Sequence, residues 1–183
     1  MLAVAGIAAV APAQQKEVMN MTKQNNHRIL VACFSATGTT ARVARMLADA
    51  VGGELYAITP AQPYTSADLN WRDSASRSSV EMDNPKSRPA LKGAKVDMSA
   101  YDVVFVGYPV WWDQAPRIVN TFIEANDMKG CRVIPFATSG SSGIANSAAA
   151  LKSAYPDLDW GEGRLLNGAD ARSIRQWLDR LGY

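Results

Sequence analysis

The fold is decided by residues 29–40, where ILVACF (Ile29–Phe34) runs directly into SATGTT (Ser35–Thr40). A continuous apolar run of this length predicts a strand that is buried on both faces of a sheet. Apolar residues then recur at helical spacing, at Val43, Met46, Leu47 and Ala50. The pair Gly52-Gly53 ends that helix. A buried strand, a loop rich in hydroxyl groups and a helix form the start of a βαβ unit.

The same alternation of strand and helix continues to the end of the chain. Further strands are predicted at four places, the last of them weakly marked: Glu54–Ile58, Val103–Gly107, Arg132–Ala137 and Arg164–Leu166. Further helices are indicated by apolar residues three or four apart: Ile118, Val119, Phe122 and Ile123; Ile144, Ala148 and Leu151; and Ile174, Trp177, Leu178 and Leu181 within Ala171–Leu181. Strands that alternate with helices predict an α/β fold with a parallel sheet and right-handed crossovers.

Two features depart from this pattern. Pro135 lies inside the fourth predicted strand, although proline has no N–H to donate to a neighbouring strand. The strand is still predicted, because the residues on both sides of Pro135 are apolar. Residues 60–100 form a long polar connection that contains Tyr64 and Trp71. A connection of this length either serves a function or carries short helices of its own. Tyr64 and Trp71 are therefore interpreted either as a lid over a ligand or as packing residues of this segment.

Composition excludes several classes of protein. The chain has 183 residues, of which 48% are hydrophobic and 20% are charged, with a formal net charge of +2, as expected for one globular domain. Lys and Arg are scattered without a run, which argues against nucleic-acid binding. The single histidine, His27, excludes a multi-histidine metal site, and two cysteines, Cys33 and Cys131, cannot form CxxC pairs. The chemistry must therefore come from loops or from a cofactor.

Residues 1–27 are predicted to precede the folded domain, which is expected to span residues 28–183. Residues 2–11 are small and apolar and lead into Ala11-Pro12-Ala13, as at the end of a secretory signal, although no basic residue precedes Lys16. The run is too short to span a bilayer. One interpretation, which we favour, is a signal-peptide remnant followed by a tether, which implies export. The other is a true start at Met19 or Met21, which implies a cytoplasmic protein.

The loop after the first strand has the composition of a phosphate site. It places four hydroxyls around Gly38 immediately before a helix, at Ser35, Thr37, Thr39 and Thr40. A helix N-terminus offers unpaired N–H groups and the positive end of the helix dipole, and both favour a phosphate. Neither GxxxxGK[ST] nor GxGxxG is present, which argues against a nucleoside-triphosphate loop and the usual dinucleotide fingerprint. The alternative is an ordinary Ser or Thr N-cap, which needs one hydroxyl rather than four.

Two further loops follow the third and fourth strands, and in a parallel sheet they share the edge occupied by the first loop. One is YPVWWDQAP (residues 108–116), whose adjacent tryptophans can form a platform for a flat aromatic ligand, while one of them closes the core. The other is TSGSSG (residues 138–143), a source of backbone N–H groups for the polar edge of a ring, or simply a turn with an N-cap. A phosphate loop, an aromatic platform and a polar edge together indicate a mononucleotide with a flat heterocycle.

These three segments resemble the flavodoxin-like proteins, in particular the bacterial branch with a tryptophan pair after the third strand. The resemblance spans residues 28–183 and rests on FSATGTT (34–40), GYPVWW (107–112) and FATSGSSG (136–143). It implies a three-layer α/β sandwich with a five-stranded parallel sheet of order 2-1-3-4-5, and FMN as the cofactor. The implied phosphate residues are Ser35, Thr37, Gly38, Thr39 and Thr40. The implied ring residues are Pro109, Val110, Trp111 and Trp112, with Ser139, Gly140 and Gly143 at the polar edge.

The chemistry expected from this resemblance belongs to the flavin, because no side chain is a convincing catalytic acid or base. Cys33 lacks the arginine of a C-x5-R nucleophile, since position 39 is Thr39, and Asp113 is interpreted as a solvated loop residue. The first hypothesis is electron transfer to a protein partner or a small acceptor. The second is an FMN-dependent NAD(P)H:quinone-type oxidoreductase, and the third is a flavin-free interaction module. From residue 28 onward there are 17 basic and 16 acidic side chains, unlike the strongly acidic electron carriers of this class.

Overall fold

The sheet of the computed structural model, which describes residues 27–183, lies at the centre of the molecule. Its strands are β1 (Ile29–Cys33), β2 (Glu54–Ala57), β3 (Val103–Pro109), β4 (Arg132–Thr138), β5 (Asp159–Trp160) and β6 (Arg164–Leu165). They pair in parallel in the order β2-β1-β3-β4-β5, and β6 also pairs with β4. The predicted order 2-1-3-4-5 is confirmed, with two short strands in the fifth position.

Helices cover both faces of this sheet. They are α1 (Thr39–Val51), α2 (Arg77–Asp83), α3 (Arg117–Ala125), α4 (Ala145–Ala154) and α5 (Ala171–Leu181), and a 3₁₀ turn covers Met98–Ala100. Helices α1 and α5 pack on the face that carries Val31 and Phe105. Helices α3 and α4 pack on the opposite face, which carries Leu30 and Val104. Since neighbouring strand residues point to opposite faces, a strand covered on both sides must be apolar throughout, as β1 is.

The fifth strand position is interrupted between β5 and β6, and the interruption lies beside Pro135 of β4. The carbonyls of Val133 and Ala137 accept hydrogen bonds from the N–H groups of Gly161 and Leu166, both at 2.8 Å, so these residues of β4 face the last strand position. Pro135 lies between them and points its backbone the same way, because alternate strand residues bond to the same neighbour. The N–H that proline lacks therefore falls at the interruption between β5 and β6. Proline is tolerated in this central strand because the neighbouring strand is broken beside it.

The long connection between β2 and β3 leaves the sheet and returns to its starting point. Pro60 and Leu91 form an isolated antiparallel bridge, and the Lys92 N–H donates to the Thr59 carbonyl at 2.8 Å. Residues 61–90 form the excursion between these contacts, and they include α2. Ser76 caps α2 by accepting from the N–H of Ser79. The segment thus has a short helix of its own, as a connection of this length allows.

The two cysteines serve packing roles. Cys33 ends β1 and Cys131 immediately precedes β4, so that β3 lies between them; both are buried free thiols. Burial raises the pKa of Cys33 to about 11, so that this thiol stays neutral and weakly nucleophilic at neutral pH.

Residues 27–183 contain neither a membrane-spanning helix nor a cluster of metal-binding side chains. None of the helices in this range has both the length and the apolar composition needed to cross a membrane. The same residues contain no group of three or more His, Cys, Asp or Glu side chains that could hold a metal ion. The predicted signal remnant and tether, with the two alternative start sites, lie outside the described residues apart from His27.

Candidate functional site

A cleft of about 550 Å³ opens at the edge of the sheet where β1, β3 and β4 end. This volume is in the usual range for small-molecule sites. Ten of the twelve residues predicted to bind a ligand line it: Ser35, Thr37, Thr39, Thr40, Pro109, Val110, Trp111, Trp112, Ser139 and Gly140. Gly38 and Gly143 are not among the lining residues. Trp71, interpreted from the sequence either as a lid over a ligand or as a packing residue, also lines the cleft. The remaining lining residues were not predicted to bind a ligand: Ala36, Leu69, Ser78, Asp113, Ser141 and Ser142.

The first wall of the cleft is the loop between β1 and α1, which leaves the N-terminus of α1 uncapped by any side chain. Gly38 is the N-cap residue, with a φ of +90° that favours glycine, and it has no side chain to cap the helix. The Ser35 hydroxyl accepts from the Gly38 N–H at 3.1 Å and shapes the turn instead. The first turn of α1 carries no acidic residue. An ordinary Ser or Thr N-cap is therefore not what this loop forms, and the helix presents free N–H groups and its positive dipole end.

The hydroxyls of the first loop divide into two roles. Thr37 and Thr39 are exposed, and within residues 27–183 neither side chain hydrogen-bonds to the protein, so both hydroxyls can donate to a ligand. Thr40 is buried, and its hydroxyl lies 2.9 Å from that of Thr138 at the end of β4. This contact joins the first and third loops of the cleft. Thr40 therefore fixes the shape of the site even though it also borders the cleft.

We expect Thr40→Val to lower the free energy of unfolding by about 1–3 kcal/mol, because it leaves the Thr138 hydroxyl buried without a partner. The double variant Thr40→Val/Thr138→Val removes both polar groups and should recover most of that loss. Urea denaturation of the wild type, both single variants and the double variant measures the coupling. Losses that simply add would show that the two hydroxyls do not form the pair seen in the structure.

The second wall is a tight turn that holds Trp112 in an unusual backbone conformation. The Trp111 N–H donates to the Gln114 carbonyl and the Gln114 N–H donates to the Trp111 carbonyl, both at 2.9 Å. The two residues between them, Trp112 and Asp113, have φ angles of 46° and 60°, in the left-handed region. A left-handed backbone conformation lowers stability by about 1 kcal/mol or more for each residue that carries a side chain. The strain holds a tryptophan that is 47% exposed at the rim of the cleft.

The two tryptophans differ in their surroundings. Trp111 packs edge-on against Phe34 and against Tyr64, with ring centroids 5.5 Å apart in both pairs. Trp112 is exposed and borders both the cleft and solvent. One indole thus closes the core beneath the site, as the sequence interpretation expected of one of the pair, and the other offers a free aromatic face.

Tyr64 anchors the long connection to this site. Its ring lies between Trp111 and the guanidinium of Arg77, which is 4.0 Å from the ring centroid. The Tyr64 hydroxyl donates to Glu81, and Arg77 also bonds to Glu81 at 2.7 Å. Burial and the Glu81 carboxylate hold the pKa of Tyr64 well above its usual value, so the phenol keeps its proton. Tyr64 therefore packs α2 against the Trp111 side of the cleft, and Trp71 from the same segment lines the cleft itself.

The third wall depends on a residue that the sequence analysis missed. The Asn167 side chain accepts from the Ser139 N–H at 2.8 Å and donates to the Ser139 carbonyl at 2.6 Å. The Ser139 hydroxyl accepts from the N–H groups of Ser141 and Ser142. Within the described chain the Gly140 N–H has no such partner and stays available. The only sequence signal at Asn167 is the turn-forming pair Asn167-Gly168, which predicts a turn but not its contact.

The cleft has little charge. Among the described residues that line the cleft, Asp113 is the only acidic one, and none is Lys or Arg. The Asp113 side chain accepts a hydrogen bond from Asn146. An anionic group bound here would be held by backbone N–H groups, hydroxyls and the dipole of α1 rather than by a cation. The site can thus bind a phosphate at one end and a planar aromatic ring beside the tryptophans.

Comparison with known proteins agrees with this geometry. Residues 28–181 match the family model described as flavodoxin. The chain is similar to a candidate flavoprotein from Bacteroides eggerthii, with 64% identity over 86% of this chain and 99% of that one and a TM-score of 0.84. It is also similar to a candidate flavoprotein from Bacteroides uniformis, with 56% identity over 84% of this chain and 98% of that one and a TM-score of 0.82.

A more distant similarity concerns the fold alone. The crystal structure of a flavoprotein in complex with FMN from Lactobacillus acidophilus is 19% identical over 82% of this chain and 98% of that one, with a TM-score of 0.66. No curated protein sequence matches the chain. The family match covers most of the chain and includes all three walls of the cleft. This chain belongs to the flavodoxin family.

Proposed function

We propose that this protein binds FMN in the cleft and transfers electrons through the bound flavin. The observation that carries the proposal is the uncapped N-terminus of α1 facing the same cleft as the Trp111–Trp112 turn. A phosphate site and an aromatic platform in one cavity of about 550 Å³ match the two ends of a flavin mononucleotide. The flavodoxin family and the FMN complex of the distant structural neighbour support the same cofactor.

The residues of the cleft fit the parts of FMN in turn. The hydroxyls of Thr37 and Thr39 and the first N–H groups of α1 would donate to the phosphate. Trp111 and Trp112 would flank the flavin ring system, and the Gly140 N–H would donate at its polar edge. A φ of +90° at Gly38 turns the chain into α1, and a Cβ added there would have no atom within 4 Å. The backbone beside the phosphate position is therefore open rather than filled by the protein.

FMN would supply reversible uptake of one or two electrons, and the protein would bind, orient and shield it. The indole rings exclude water from one side of the cleft and lower its effective dielectric, which disfavours negative charge on a reduced ring. The carboxylate of Asp113, which lines the cleft, acts in the same direction. Phosphate recognition without a Lys or Arg keeps positive charge away from the ring. These features together favour a low reduction potential.

A flavin-free interaction module explains the site less well. In that case the uncapped N-terminus of α1 and the left-handed conformation of Trp112 would both lower stability with no ligand to offset them. Helices α2 and α5 have side-chain N-caps, whereas α3 and α4 begin without one as α1 does, so the missing cap of α1 matters because that helix end faces the cleft. Both costs are explained once a phosphate and an aromatic ring occupy the cleft.

A second candidate function is an FMN-dependent NAD(P)H:quinone-type oxidoreductase. The nearly balanced charge of residues 28–183 gives no acidic field to steer a basic protein partner, which a simple electron carrier would use. A reductase instead needs a place for a small acceptor beside the flavin. The structure contains a second cavity next to the cleft, and this cavity is the observation that favours the reductase.

The test of the proposal is the affinity of the full chain for FMN and for riboflavin, which lacks the phosphate, measured by quenching of flavin fluorescence. We expect Thr37→Val/Thr39→Val to weaken FMN binding at least about a hundredfold, because the variant removes two hydrogen bonds to a charged group that contribute about 1.5–3 kcal/mol each. Riboflavin affinity should stay unchanged.

The matched control is Thr121→Val on α3, outside the cleft, which should leave both affinities unaltered. A wild-type protein that binds no FMN would overturn the proposal. Equal losses of FMN and riboflavin affinity in the double variant would show that these hydroxyls do not contact the phosphate.

A further inference from the structure

A second cavity, of about 640 Å³, lies beside the proposed FMN cleft. The two cavities share Trp71 and Trp112 as lining residues, so the indole rings stand at their common boundary. The other lining residues come from the long connection and its helix α2: Arg72, Ser74, Ser79, Val80, Met82, Asp83 and Asn84. No part of the proposed FMN site other than Trp71 and Trp112 reaches into this second cavity.

The exposed apolar side chains of residues 27–183 concentrate here. Of the four large hydrophobic residues that are exposed, three line the second cavity: Trp71 at 65%, Val80 at 55% and Trp112 at 47%. The fourth, Leu55, lies on the edge strand β2 and lines neither cavity. Single exposed apolar residues are ordinary, whereas several around one concavity mark a binding site.

The two walls of the second cavity are held together by a buried cation. Arg117 is 8% exposed and donates to the Met82 carbonyl at 2.8 Å and to the Gln114 side chain at 3.0 Å. Met82 belongs to α2, and Gln114 closes the turn that carries Trp112. The separation of α2 from that turn is therefore set by a buried guanidinium, and the cavity is part of the folded structure.

The chemistry of the lining selects a class of ligand. Two indole rings favour a flat, apolar molecule. The Asn84 side-chain N–H₂ and the Ser74 hydroxyl have no acceptor within the described residues, and both can donate to carbonyl oxygens. The charges of Arg72 and Asp83 are opposite, and the Arg72 guanidinium already lies over the Trp71 ring at 4.8 Å. A neutral molecule fits this lining better than an anion.

We infer that the second cavity binds a small, neutral, planar molecule with ring carbonyls, of the quinone class, next to the FMN cleft. The inference rests on the proposed function for its biological role, since a quinone at the Trp71–Trp112 boundary would lie beside the flavin. The site itself is formed by this chain's residues alone. Quinone binding can therefore be measured whether or not FMN is bound.

The experiment is equilibrium dialysis of the full chain against duroquinone, a fully substituted quinone without a ring position open to thiols. It is carried out with FMN-free and FMN-saturated protein. Val80→Asp places a carboxylate in the second cavity alone, and we expect it to weaken duroquinone binding at least about tenfold because a bound apolar quinone would cover the carboxylate and remove water from it. FMN affinity should not change. Leu55→Asp makes the same kind of substitution at an exposed residue outside both cavities and should leave both affinities as they are.

Each outcome decides the inference. Absence of duroquinone binding to the wild type, binding unaffected by Val80→Asp, or equal loss in Leu55→Asp would each overturn it, and the apolar surface would then fit a protein partner better. Displacement of FMN by duroquinone would place the quinone in the first cleft and also overturn it. Failure of FMN binding with Val80-dependent duroquinone binding intact would reject the proposed function and leave the second site standing.

Discussion

Gly107→Ala is expected to lower the free energy of unfolding by about 3 kcal/mol, because among the glycines of the described residues Gly107 is where an added Cβ would make the shortest contact. Gly107 on β3 is paired with Phe136 on β4, and both are buried. A Cβ added at Gly107 would lie 2.1 Å from Cζ of Phe136 and within 2.7 Å of two more ring atoms. The ring has no free space to enter, because its side chain is fully buried. Urea denaturation measures the loss.

A second substitution identifies the obstacle. Phe136→Leu alone should destabilise the protein, but Gly107→Ala/Phe136→Leu should be more stable than the sum of the two single effects predicts, since leucine vacates the space of the ring. Gly143→Ala is the control glycine, because a Cβ there would have no atom within 4 Å and it is not among the residues with positive φ. It should change the free energy of unfolding very little. Strictly additive effects would show that Phe136 is not what excludes a side chain at position 107.

Trp111→Ala/Trp112→Ala is expected to weaken FMN binding about thirtyfold, because aromatic stacking contributes about 1 kcal/mol per ring. The single variants should separate two roles. Trp111→Ala removes the ring that packs on Phe34 and Tyr64 and should therefore lower stability as well as affinity. Trp112→Gly should weaken FMN binding while raising the free energy of unfolding by up to about 1 kcal/mol, since glycine adopts a positive φ without strain.

Flavin fluorescence quenching gives the affinities, and urea denaturation gives the stabilities. Trp160→Ala is the control for the loss of an indole, because Trp160 lies on β5 and lines neither cavity. It should leave FMN affinity unchanged. Unaltered affinity in the Trp111→Ala/Trp112→Ala variant would mean that the flavin ring does not bind beside this turn.

Much of the fold follows from local patterns in the chain. The predicted bounds Ala171–Leu181 are those of α5, and the Gly52-Gly53 pair ends α1. Continuous apolar runs predicted strands covered on both faces, and ILVACF forms β1 in the centre of the sheet. The positions of the three loops at one edge followed from parallel strands. These features are readable because a residue's place on a helix face or a strand face depends only on its spacing from near neighbours.

The division of roles within the site was decided by tertiary structure. Four hydroxyls in one loop look equivalent in the sequence, yet Thr40 is taken by Thr138, which lies 98 positions away. The two tryptophans are adjacent in the chain, but only Trp111 meets Tyr64 from the long connection. Asn167 holds Ser139 from 28 positions away, and no spacing rule connects them.

The second cavity likewise could not be predicted from local patterns in the sequence. Its walls come from α2 and from the turn at Trp112, and Arg117 on a third element sets their separation. The sequence by itself determined the strands β1 to β4 and β6, the helices α1, α3, α4 and α5 and the loops that meet at the sheet edge, since these depend on local periodicity, whereas β5 and α2 were not predicted. Only the folded structure decided which hydroxyls are free, which indole is exposed and where a second cavity opens. The reason is that these properties depend on contacts between residues far apart in the chain, which local spacing does not encode.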